Sequence, residues 1–111
     1  MTEYVKRREH HGIELWVSTT WTHWKYIQFR EATSGLGIYD QKNNPVTRGL
    51  KAFYAAFEAS VTEADGKAVA ELAATSISDR NYEGVRRRAL DVRYKLEKMC
   101  HAHGVHQVGA C

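Results

Sequence analysis

A chain of 111 residues, 43% apolar and 26% charged, is long enough to bury one core without disulfides or a structural metal. It contains neither the run of about eighteen apolar residues that a membrane span needs nor a charged-then-apolar leader, so a cytoplasmic protein with no membrane association is expected. The net charge of +3 permits a polyanionic partner without requiring one.

In chain order, residues 2–9 (TEYVKRRE) read as a strand and His10-His11-Gly12 as the turn leading out of it. Pairing across that turn sets Val5 against Val17, Lys6 against Trp16 and Arg8 against Glu14. It leaves Arg7 facing Leu15, a discord in an otherwise consistent pattern. The basic triplet Lys6-Arg7-Arg8 suits an edge strand guarded against further pairing.

Residues 13–19 and 25–31 alternate apolar with polar side chains, the period of strands whose two faces meet different surroundings. One register gathers the apolar sets: Val17 opposite Ile27 and Leu15 opposite Phe29. It also sets Glu14 opposite Arg30, Trp16 opposite Gln28 and Ser18 opposite Tyr26. Residues 21–23 remain as the loop. The outer face then carries Trp16, Tyr26 and Trp24, with Arg30, Lys6 and Arg8 beside them. Either a second layer covers these rings, or they form a platform for a partner. Trp, Tyr and Arg dominate protein-binding hot spots, and rings on a sheet can also stack unpaired bases.

Residues 36–39 read as a short strand and 40–44 as a polar loop, and Asn44-Pro45 has the form of an N-cap followed by a first-turn proline. The stripe Leu50, Phe53, Tyr54, Phe57, Val61 predicts a helix over 45–59 that covers the sheet. Ser60 and Glu63 stand at capping-box spacing before a second helix over 62–75, packed through Ala68, Val69, Leu72 and Ala73. Ser78 or Asp79 would cap a third, over about 80–101. The fold expected is α+β: a three- to four-stranded antiparallel sheet over residues of about 2–39, followed by two or three helices packed on one face. Residues 1–111 form a single domain, with 102–111 a flexible His/Cys tail.

The third helix carries Tyr82, Val85, Ala89, Val92, Leu96, Met99 and His103 at spacings of three and four, a seam that packs on the preceding helices or supports a homodimer. Arg87–Asp91, Asp91–Lys95 and Arg93–Glu97 are candidate ion pairs along its outside. Arg86, Arg87, Arg88, Lys95 and Lys98 make it the alternative surface for nucleic acid. The three consecutive arginines fan over about 200° and cannot follow one phosphate track. A continuous contact would need Arg87, Lys95 and Lys98 to line up with the basic first strand.

Cys100, His103, His106 and Cys111 are the densest group of metal-type ligands and could close a tetrahedral set. They lack paired C-x-x-C spacing and a nearby carboxylate to orient the imidazoles, so free thiols and no cofactor are expected. Gly35-Leu36-Gly37 is a turn fragment, not a phosphate-binding loop, and no nucleophile–base constellation has a third orienting group. The sequence therefore points to a non-catalytic binding protein that occupies a protein partner, or a nucleoprotein complex, through an aromatic and basic surface. An inhibitor from a phage or mobile element, directed at a host nucleic-acid-handling complex, is one class that fits. Direct nucleic-acid binding and metal binding stand as alternatives.

Overall fold

Side-chain alternation governs how the strands assemble. The computed structural model describes residues 3–19, 25–46 and 49–104, with the backbone alone at 42–45. Strands β1 (Tyr4–His10), β2 (Ile13–Ser18), β3 (Lys25–Glu31) and β4 (Gly37–Val46) form one antiparallel sheet in the order β1-β2-β3-β4. Helices α1 (Leu50–Ser60), α2 (Glu63–Ala74) and α3 (Tyr82–His103) follow and cover one face.

The β2–β3 register is the one that the apolar pattern demands: Leu15 faces Phe29, Val17 faces Ile27, Glu14 faces Arg30 and Trp16 faces Gln28. Ile13, Leu15, Val17, Ile27 and Phe29 are buried under the helices. Phe57 stacks on Phe29 with ring centroids 5.6 Å apart, and Phe53 lies 6.4 Å from the same ring.

β1 joins β2 through His11 and Gly12, both at positive φ (52° and 83°), the backbone of a two-residue turn that matches strand twist. Val5 faces Val17 and Lys6 faces Trp16, but the register then shifts. A bulge absorbs Arg7, so Arg8 faces Leu15, Glu9 faces Glu14 and His10 faces Ile13. That irregularity resolves the discord at Arg7.

β4 departs from the sequence reading. It runs through residues 40–46, where the sequence pattern predicts a polar loop and a helix start, with Gln41 opposite Ile27 and Val46 opposite Lys25. The physical reason is its position at the sheet edge, where a proline's missing N–H costs no ladder bond. The helix accordingly begins at Leu50, after Gly49 at φ 37° with no side-chain cap, and not at Pro45.

The capping box is Thr62 with Asp65, two residues beyond the expected Ser60 and Glu63. Gly66, a costly residue for a helix interior, sits where α2 meets the β1–β2 turn. A Cβ built there would overlap the His11 carbonyl oxygen. On α3, Lys95 turns away from Asp91. Its Nζ donates to Asp65 Oδ2 at 2.6 Å and to the Ser60 carbonyl at 3.2 Å, so one ammonium ties three helices. This contact and those from Thr62 outweigh burial and hold the Asp65 carboxyl below its usual range. Arg88 pairs with Glu71 of α2 at 2.7 Å. No Arg87–Asp91 or Arg93–Glu97 ion pair forms among the described residues. The seam residues Val85, Ala89, Val92, Leu96 and Met99 are buried within the chain, so that seam is not free for a second copy.

Two polar residues break the apolar inner face. Glu31 is covered by the turn that follows it. Burial pushes its carboxyl up, but hydrogen bonds from the N–H and hydroxyl groups of Thr33 and Ser34 (2.7–3.1 Å) prevail and bring it down to about 2. Gln41 accepts from the Tyr39 hydroxyl at 2.7 Å, while its buried Nε2 has no partner among the described residues.

Candidate binding face

Because each strand alternates, burying Leu15, Val17, Ile27 and Phe29 turns Trp16, Ser18, Tyr26, Gln28 and Arg30 to the opposite side. Among the described residues no helix covers that side, and Trp16, Tyr26, Gln28 and Arg30 are half-buried.

Hydrogen bonds and one stacking contact connect all four strands across it. The Arg30 guanidinium lies over the Trp16 ring, 3.9 Å from its centroid. Its Nε and Nη2 donate to Gln28 Oε1 at 3.2 and 2.7 Å. Gln28 Nε2 donates to Asp40 Oδ2 at 3.3 Å. On the other flank Trp16 Nε1 donates to Glu14 Oε1 at 3.0 Å. Lys6 stands between Glu9 (3.4 Å) and Glu14 (3.5 Å), relieving the like-charge opposition that the bulge creates. Thus Glu14 and Arg30 face each other in register but serve the indole from two sides. The cation over the tryptophan is Arg30, and Lys6 belongs to the carboxylates.

Tyr26 donates its backbone N–H to Ser18 Oγ at 3.0 Å. Tyr4, opposite Ser18, adds a third ring to this face. Burial first, then the Asp40 carboxylate, raises its phenol above the ordinary value. The only sequence signal for Tyr4 on this face is that it shares the parity of Lys6, two residues on.

The remaining sequence candidates separate. Arg8 leaves the outer face: the bulge turns it to the helix side, where its guanidinium lies 4.3 Å from the Tyr54 ring centroid. Trp24, His106 and Cys111 lie outside the described residues, as does the 21–23 loop. Of the helical basic group, Arg88 and Lys95 are held by α2, Lys98 lies over the Tyr94 ring at 5.3 Å, and Arg86 and Arg87 are exposed. α3 packs along β4 while β1 forms the other edge of the sheet, so the alignment that a continuous phosphate track requires is not built.

At the end of α3, Cys100 is fully buried, and burial followed by Glu97 pushes its thiol up to about 12. A thiolate ligand or nucleophile needs the opposite shift. The His103 ring packs edge-on against Phe53 at 5.4 Å. Among the described residues no group of three metal-type side chains converges. The expected tail begins inside the fold, since Ala102 and His103 are helical and Gly104 bridges to Val46.

The central charges of the outer face, Lys6 and Arg30 against Glu9, Glu14 and Asp40, come close to balance. Comparison with protein-family models, with curated proteins and with solved structures returned no match. No helix is long and apolar enough to cross a membrane among the described residues.

Proposed function

We propose that the protein is a non-catalytic binding module that occupies a protein partner through the outer sheet face, with Trp16, Tyr26 and Arg30 at the centre of the contact. The observation that carries this reading is the fixed, half-exposed indole of Trp16, clamped by Arg30 above and Glu14 at its edge on a face that no helix covers among the described residues. Rigid aromatic groups lose little entropy on docking, and Trp, Tyr and Arg supply most of the energy at protein interfaces. Occupying a surface in this way is also how a small protein would inhibit a larger complex, a nucleic-acid-handling one included.

Charge argues against nucleic acid as the primary ligand. The cations of this face already have partners, and Arg88 and Lys95 serve the helix packing. The test is retrieval from native-host lysate by untagged wild type and by a Trp16→Ala/Tyr26→Ala variant, with and without nuclease, between about 50 and 200 mM salt. Phosphate-driven binding falls steeply over that range. A stoichiometric protein should stay bound to wild type after nuclease and at both salts, and leave the variant. Retention by the folded variant, or loss on nuclease treatment, would overturn the reading.

A further inference from the structure

A second surface lies where the β3–β4 turn, α2 and α3 meet; a hollow that Arg93 shares with Gln28, Arg30 and Asp40 joins it to the outer face. Two adjoining hollows of about 310 and 400 Å³ share Leu36, Leu72 and Tyr82 as common walls, so they form one elongated groove. Five large apolar side chains are exposed among the described residues, and three of them border this groove: Leu36 (39%), Leu90 (40%) and Ile77 (79%). Ile77 is held there by its own turn. Ser78 donates its N–H to Ser76 Oγ, Asp79 N–H reaches the Ser76 carbonyl, and Asn81 N–H reaches Asp79 Oδ1. An isoleucine fixed in water by an ordered turn is the reverse of what burial energetics select in an unpartnered loop.

The electrostatics indicate the occupant. Arg86 and Arg93 line the groove, and no Asp or Glu does. Arg93 lies over Tyr39 at 5.6 Å, and neither guanidinium has a carboxylate within ion-pair distance among the described residues. We infer that this groove docks a short acidic peptide segment of a protein partner, with aliphatic or aromatic anchors between Leu36, Leu72 and Tyr82 and carboxylates reaching Arg86 and Arg93. The groove is lined by none of Trp16, Tyr26 and Arg30, so this inference does not depend on the outer-face reading.

The test is selection of a twelve-residue random peptide library on the whole protein, followed by titration of the enriched peptides as free synthetic molecules. Enriched sequences should combine Leu, Ile or Phe with Asp or Glu. Ile77→Asp and Arg86→Glu, both at exposed positions and separately checked for cooperative unfolding, should each weaken binding about tenfold or more, the range for paired charges and filled apolar sites. Trp16→Ala should leave it unchanged. Enrichment without acidic residues, no enrichment, or binding indifferent to Ile77→Asp and Arg86→Glu would each overturn the inference. So would self-association of the wild type that Ile77→Asp abolishes, because the occupant would then be a second copy.

Discussion

The two faces of the sheet are built from neighbouring residues of the same strands, yet they are held by different physics. On the inner face Leu15, Ile27 and Phe29 are sealed by Phe53 and Phe57, and removal of apolar area from water does the work. On the outer face Trp16, Arg30, Gln28 and Glu14 stay half-exposed and hold one another by hydrogen bonds and ring stacking. The first arrangement sets stability. The second fixes side-chain positions at little gain in stability, which is what a docking surface needs.

The largest effect expected from breaking this contrast comes from the inner face. Phe57→Ala should cost about 4 kcal/mol in urea unfolding, whereas Trp16→Ala, which loses an exposed cation–π contact and part of one ring's burial, should cost about 1 kcal/mol. Equal losses would mean that the outer face is a core in its own right.

Glu31 sharpens the contrast, being a charge on the apolar side. Its folded-state value of about 2 lies below the ordinary 4.5, so its contribution is complete above about pH 4.5 and is lost as pH falls towards 2. The site is shallow, covered by its own turn, so the contribution is at most about 3 kcal/mol. Glu31→Gln should lower the urea midpoint at pH 7 and approach wild type near pH 2. A constant gap would assign the loss to packing.

Gly66→Ala asks whether helix propensity or fit governs α2. Propensity alone predicts a gain of about 1 kcal/mol. The overlap with the His11 carbonyl predicts a net loss of about 2 kcal/mol, because backbone has to move. A thermal melt shifted upward would sink the steric account. The smallest effect is expected at Gln41. Gln41→Leu removes an orphaned buried amide nitrogen but also the acceptor of the Tyr39 hydroxyl, so stability should stay within about 1 kcal/mol of wild type.

The central hairpin was legible because period-two alternation admits a single register, and a one-residue slip would have put Val17 and Ile27 in water. The bulge left a trace as well, in the misplaced Arg7. β4 was hidden by local chemistry: Asn44-Pro45 is equally good as a helix cap and as the end of an edge strand, and only the pairing of Val46 with Lys25 and Gly104 decides between them. The groove left no periodic trace at all. Leu36, Ile77 and Leu90 come from a turn, a linker and a helix, and only tertiary packing brings them together. Lys95 left no trace for a related reason, since a lysine in mid-helix that ties the end of α1 and the start of α2 to α3 looks in sequence like any solvent-facing cation.

The seating of α2 on the β1–β2 turn bears on how this chain tolerates change. His11 carries its carbonyl into the space left by a missing side chain on Gly66, so the length of that turn is fixed by a helix more than fifty positions downstream. An epitope spliced between His10 and Gly12 should therefore unseat the helix layer, whereas an edge strand of ordinary hairpins would accept it.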